Sequence, residues 1–145
     1  MIRTVLAVTV LAFGVSAVIA QGDPIEARKA LMKANGAEFR VASEMSDGKR
    51  PFDLAAAKKV FNSFAEAGEK SKALYPDNSK TGGETAALPA IWENKADFEA
   101  KLTKFANEAK AAAAATTDLD TFKAQFVEVR KNCGGCHTPY RKKAS

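Results

Sequence analysis

The sequence predicts an all-α protein, an antiparallel four-helix bundle, and three observations predict it. Apolar residues recur at three- and four-residue steps through long stretches rich in Ala, Lys and Glu. No two-residue alternation marks a strand anywhere after residue 20. The remaining chain, residues 21–145, is too short to bury several amphipathic stripes except against one another.

The first helix is expected from about Pro24 to Ser46. Pro24 suits the first helical turn and Asp23 the N-cap. Ile25, Met32 and Phe39 follow at seven-residue intervals, with Arg28 and Asn35 between them. Gly48 and Pro51 end it. The second helix, from about Asp53 to Leu74, carries the stripe Leu54, Ala57, Phe61, Phe64 and Gly68. Tyr75-Pro76-Asp77-Asn78 stops it, and a long loop runs through Gly82-Gly83 to Pro89. That loop exceeds most bundle connections, which suggests an overhand crossing or the cover of a site. The third helix, from Ile91 or Asn94 to Ala115, buries Trp92, Phe98, Leu102, Phe105 and Ala109. The fourth, from about Asp118 to Lys142, places Leu119, Phe122, Phe126, Val129, Cys133, Cys136 and Tyr140 on one seam in a 3-4-3-4-3-4 alternation. Pro139 disfavours helical geometry at Thr138, so a bend or fraying is expected after His137.

The N-terminus reads as an export signal over residues 1–20. Arg3 supplies the positive end, Val5 to Val15 the apolar run, and Val18 and Ala20 the small-residue cleavage positions. The run is shorter than the ~20 apolar residues a spanning helix needs, and no second one follows. Cleavage after Ala20 leaves residues 21–145 as one domain; cleavage after Ala17 is the alternative. The expectation is an exported protein with no membrane segment after signal removal. Loss of Arg3 lowers the formal charge from +5 to +4. The basic residues look scattered apart from Arg141-Lys142-Lys143, which suits a solvated helix end better than a nucleic-acid patch.

The chain holds two cysteines and one histidine, all within Cys133-Gly134-Gly135-Cys136-His137. Cys-x-x-Cys-His is the attachment pattern of haem c. Two thiols at this spacing add to the two vinyl groups on one edge of the porphyrin, and the adjacent imidazole reaches the iron. Gly134 and Gly135 remove side chains where the backbone passes the ring. Three competing readings are weaker. A Cys133–Cys136 disulfide is possible in an oxidising compartment. A thioredoxin-like pair belongs at a helix N-terminus, whereas this motif lies near a C-terminus. A structural zinc site needs about four ligands, and the motif supplies three.

With His137 the only histidine, a second axial ligand is methionine, an unusual group such as lysine, or absent. Beyond the signal the methionines are Met32 and Met45. If the first and fourth helices are antiparallel, His137 faces the start of the first helix, where Met32 lies. Met45 is 13 residues further on, about 20 Å along the axis at 1.5 Å per residue. Met32 is therefore the candidate sixth ligand, and Met45 a packing residue. His/Met ligation raises the potential and leaves no open site. That favours outer-sphere electron transfer, with no catalytic set, since the only histidine is taken.

These residues together resemble the class II cytochromes c, the cytochrome c′ family. The resemblance spans residues 21–145 and rests on Arg28 four residues before Met32, the Leu31–Gly36 run, Ile91-Trp92, and Cys133–His137 followed by Tyr140-Arg141-Lys142. Within the family it is nearest to the low-spin cytochrome c-556 branch, in which a methionine of the first helix ligates the iron. High-spin cytochromes c′ leave the iron five-coordinate and bind NO or CO, which is the alternative reading. The resemblance implies one covalently attached haem c, periplasmic electron transfer with periplasmic redox proteins, and a monomer or homodimer. It also implies that Arg28 lies near the haem, either at a propionate or as a surface cation, and Arg141 near the proximal face. Phe98 is expected as a haem neighbour, because the third helix begins at the same end of the bundle.

Overall fold

The computed structural model describes residues 22–143. The expected export signal and its cleavage site fall outside them. Four long helices make the body: α1 (Pro24–Ser46), α2 (Leu54–Ser71), α4 (Lys95–Ala115) and α5 (Leu119–Tyr140). A single turn, α3 (Ala90–Glu93), precedes α4. No helix among the described residues is long and apolar enough to cross a membrane.

Local chemistry fixes the helix starts. Asp23 Oδ1 accepts from the Ile25 amide at 2.8 Å, with Pro24 in the first turn. Asp53 Oδ1 accepts from the Ala56 amide at 2.6 Å. Asp118 and Thr121 form a reciprocal capping box on α5. The third helix differs from its expected form. It breaks at Asn94, so Trp92 lies in the separate turn α3, half-buried, with Nε1 donating to Tyr75 O and Pro76 O at 3.1 and 3.2 Å.

The second departure is at Pro139. Fraying after His137 is expected, yet α5 stays helical to Tyr140. Proline in a last turn forfeits only the bond to the carbonyl four residues back, here that of the exposed Gly135. The turn is also held from outside. Tyr140 is buried against Phe98 and its hydroxyl donates to Asp97 Oδ2.

Packing is uneven along the bundle. At one end Met45, Val60, Phe61, Phe64, Phe122, Phe126 and Val129 fill a dense core with small Ala residues between them. Phe122 and Phe126 are stacked with centroids 5.9 Å apart. Helices α2 and α4 approach most closely, at Gly68, where an added Cβ would lie 3.0 Å from Leu102 O and from Ala106 Cβ. Helices α1 and α5 make far less contact with each other than the other neighbouring pairs do. At the other end a smaller cluster of Ile91, Phe98, Leu102 and Tyr140 stands beside a cavity.

The long loop from residue 72 to 89 closes this hollow end. It contains two short 3-10 turns, Lys72–Leu74 and Asp77–Ser79. Gly82 and Gly83, with φ of +92° and +52°, turn the chain where most side chains would be strained. The loop then pairs with the end of α5. Leu88 N donates to Tyr140 O at 3.0 Å and Lys142 N to Ala86 O at 2.8 Å.

Candidate functional site

The cavity at the hollow end has a volume of about 580 Å³, within the range of ligand-binding pockets. Its walls bring together every site residue the sequence singles out: Arg28, Met32, Phe98, Cys133, Cys136 and His137. Three of these come from the end of α5, two from the start of α1, and Phe98 from the start of α4. Antiparallel packing of α1 on α5 produces this meeting. Met45 does not reach the cavity; it is 1% exposed, in the dense core at the far end. Of the other aromatic residues on these helices, Phe105 lines the cavity, Phe122 and Phe126 belong to the dense core, and Trp92 holds the loop.

Both cysteines are half-buried free thiols on the cavity wall. Three residues apart on a helix, their Cβ atoms are set at about 5–6 Å. A disulfide needs about 3.5–4.5 Å, so this helix would have to unwind to form one. Burial raises the proton affinity of both thiols; at Cys136, Lys101 opposes that and Asp97 adds to it. His137 sits at the cavity edge, its proton affinity lowered first by burial and then by the nearby charge of Arg141. A neutral imidazole is the form that binds a metal. Among the described residues no cluster of His, Cys, Asp and Glu is arranged to hold a bare metal ion.

The lining also fits an amphipathic anion. It is mostly apolar, with Ile91, Leu102, Phe39, Phe64 and Phe105 on its walls. Its charged members are Arg28, Lys29 and Arg141, and no carboxylate lines it. Two wall residues carry buried oxygens without a partner, Asn35 Oδ1 and Ser71 Oγ. At Gly36, Gly134 and Gly135 an added Cβ would meet no protein atom, so protein packing does not explain the absence of side chains there. A haem has this character: a large apolar ring with two carboxylates on one edge. The residues present fit that group, with Cys133 and Cys136 for attachment and His137 as the imidazole.

Arg28 has a task that its position in the sequence does not reveal. It is 5% exposed. Nη1 donates to Leu74 O at 3.2 Å and Ser79 Oγ at 2.9 Å; Nη2 donates to Ser79 O at 2.9 Å and Thr85 Oγ1 at 2.6 Å. The guanidinium also lies 5.0 Å from the Tyr75 ring centre and 5.9 Å from that of Trp92. Burial lowers its pKa, which Tyr75 and Asp23 partly oppose, but arginine keeps its proton. Arg28 thus ties the loop to α1 and keeps only Nε for a propionate.

Several site residues escape the sequence reading: Ser71, Tyr75, Ser79, Thr85 and Asp97, the hydrogen-bond partner of Tyr140. All of them lie outside the haem motif and the apolar stripes. The one available signal was Arg28 itself, a charge on the 28, 32, 35, 39 seam with no acid at helical spacing on the buried side.

The comparisons agree with this architecture. The family model described as Cytochrome C' matches residues 23–141. A cytochrome c' of Rhodopseudomonas palustris is 40% identical over 99% of this chain and 97% of its own length. A cytochrome c-556 of Agrobacterium fabrum is 37% identical, covering 88% of this chain and 86% of the relative. Among solved structures, cytochrome c' from R. palustris superposes with a TM-score of 0.83 at 41% identity, over 86% of this chain and all of that one. A structure of oxidized R. palustris cytochrome c556 gives 0.78 at 30% identity, covering 85% and 98%.

Proposed function

The chain belongs to the cytochrome c′ family, and from that premise we propose that it is a periplasmic electron carrier, not an enzyme, with one haem c held by Cys133, Cys136, His137 and Met32. Family membership implies covalently bound haem c, and Cys133 and Cys136 are its attachment points. The group supplies a one-electron Fe(III)/Fe(II) couple. The protein's part is to hold, orient and insulate. His137 presents a neutral imidazole from the last turns of α5. Tyr140 fixes that turn through Asp97 and Phe98. Phe98, Leu102 and Phe105 exclude water from the cavity floor, and a low-polarity surround with few mobile dipoles lowers the reorganisation that accompanies a change of charge.

One observation carries the reading: Met32 lies on the wall of the same cavity as His137, while Met45, the other methionine of the described chain, is buried at the opposite end. A Met32 thioether holding the iron together with His137 would leave no place for an exogenous ligand and would favour the ferrous state. Relatives bear both the c' and the c-556 names, so ligation decides between an electron carrier and a five-coordinate NO/CO-binding protein. The test is the visible spectrum of the holo-protein beside Met32→Ala. We expect a low-spin spectrum in the parent, and its loss with gain of CO binding in the variant. A high-spin parent, or spectra unchanged by the substitution, would remove Met32 from the iron.

A further inference from the structure

Among the described residues two buried side-chain oxygens have no hydrogen-bond partner, Asn35 Oδ1 and Ser71 Oγ, and both residues line the cavity. They differ in what they can do. Asn35 is half-buried, and its orphaned atom is a carbonyl oxygen, which only accepts. Ser71 is 1% exposed, and its hydroxyl can donate. Ser71 closes α2, where a serine can turn its hydroxyl back onto the carbonyl four residues earlier. Here it makes no such bond. An unmet buried hydroxyl costs stability, and alanine, a better helix former, would avoid that cost. Protein packing alone therefore gives no reason for a hydroxyl at this position.

The bundle places that hydroxyl level with Met32. Leu31, Ala34 and Glu38 of α1 share a small hollow with Lys70, Ala67 and Ser63 of α2. Residue numbers rise on one helix as they fall on the other, so the antiparallel register sets Leu31 level with Lys70. Met32 and Ser71 then lie within about two residues of one level, about 3 Å at 1.5 Å per residue. Helix α2 packs against α1 and α4, whereas α5 packs mainly against α4. Ser71 is thus on the cavity wall diagonal to the one that carries His137, next to the wall that carries Met32. We propose that Ser71 is a positioning residue for the sixth ligand, its hydroxyl donating to Met32 Sδ. The proposal rests on ligation by Met32 and adds the group that tunes it. A thioether is a weak acceptor, and it keeps one lone pair when the other binds a metal. A donor on that pair draws electron density from sulfur. It weakens the bond to ferric iron more than the bond to ferrous iron and so raises the potential.

The experiment compares the holo-protein with Ser71→Ala, Ser71→Thr and Ser71→Val. Three readouts are taken: the redox midpoint, the proton NMR spectrum of the reduced form, and an imidazole titration of the oxidised form followed in the visible spectrum. Threonine keeps the hydroxyl; valine matches its bulk without it. In the parent we expect a methionine methyl resonance moved far upfield by the porphyrin ring current, the mark of an iron-bound thioether. Ser71→Ala is expected to lower the potential. It is also expected to need about three- to tenfold more imidazole to displace the thioether, the fold-change that a hydrogen bond of ordinary net strength gives. Ser71→Val should follow Ser71→Ala, and Ser71→Thr should stay within about twofold of the parent. A hydroxyl that only packed would give the opposite sign, because a loosened wall makes the thioether easier to displace. That result, threonine and valine variants that behave alike, or an unchanged potential in Ser71→Ala would overturn the proposal. A parent without the shifted methyl resonance overturns Met32 ligation and the proposal together. A parent that shows it, beside an unresponsive Ser71→Ala, overturns the Ser71 assignment alone.

Discussion

Arg28 is the residue whose replacement tests the architecture of the hollow end most directly. Arg28→Leu removes four hydrogen bonds together. Two of them end on hydroxyls that keep another bond: Ser79 Oγ still donates to Pro76 O at 2.9 Å, and Thr85 Oγ1 still accepts from the Ala87 amide at 3.1 Å. The other two end on carbonyls, Leu74 O and Ser79 O. A buried polar group left unmet costs about 1–3 kcal/mol, which gives about 2–6 kcal/mol for the pair. Two effects pull toward the low end. The loop lies near the surface, where its carbonyls can turn to water, and leucine avoids the desolvation of a buried cation. We expect a loss of about 2 kcal/mol in urea unfolding of the holo-protein followed by circular dichroism. Faster amide exchange at Ser79 and Thr85 is expected with it. Stability within about 0.5 kcal/mol of the parent, with unchanged exchange at both amides, would refute the latch. The Ala86–Leu88 pairing with the end of α5 would then suffice to hold the loop.

Other substitutions separate packing from ligation. Gly68→Ala drives a methyl into Leu102 O and Ala106 Cβ at 3.0 Å, and overpacking of this kind costs about 1–3 kcal/mol, read as a lower urea midpoint with an unchanged spectrum. Met45→Ala should cost about 2–5 kcal/mol as a buried truncation and leave the visible spectrum alone, the reverse of Met32→Ala. The Tyr140–Asp97 bond contributes to the pH dependence of stability on both sides. It pushes the Tyr140 phenol up to about 12, so that contribution is complete below the unfolded value near 10 and lost as pH climbs through about 12. The same bond, then Lys101, holds the Asp97 carboxyl below its usual range. That contribution is present above the unfolded value near 4 and lost as pH falls further. Asp97→Asn should flatten both flanks of a plot of Tm against pH.

What was legible in the sequence was what depends on local order. Helix starts at Asp23, Asp53 and Asp118 follow from capping chemistry within three or four residues. The seam from Leu119 to Tyr140 follows from period alone, and it puts both cysteines on the inner face. Placing Met32 rather than Met45 at the end that holds His137 needed only antiparallel helices and 1.5 Å per residue. What escaped depends on loop geometry. The four bonds of Arg28 join residues 46 to 57 positions apart, through a segment whose course no periodicity encodes. Pro139 was misread for the opposite reason. A local rule predicted fraying, but Asp97, 43 positions from Tyr140, anchors the turn.

The division of the bundle into a dense and a hollow half has a thermodynamic consequence. Cavity formation in a protein interior costs roughly 24 cal/mol per Å³. At about 580 Å³ this amounts to an upper bound of about 14 kcal/mol, comparable to the whole stability of a typical domain, about 5–15 kcal/mol. Entry of water through the open mouth reduces it without moving the walls, and partial collapse reduces it further by shifting α1 against α5. A haem bound here would complete the core at this end, and we expect the hollow half to depend on it. Cys133→Ser/Cys136→Ser, which blocks covalent attachment, should keep much of its far-ultraviolet circular dichroism, since the Phe61–Phe122–Phe126 cluster survives. It should lose near-ultraviolet signal from Tyr75, Trp92 and Tyr140 and bind a hydrophobic dye, the signs of helices without fixed packing. A haem-free variant with a sharp thermal transition and native near-ultraviolet signal would show that the walls support themselves, and the cavity would need an explanation other than a prosthetic group.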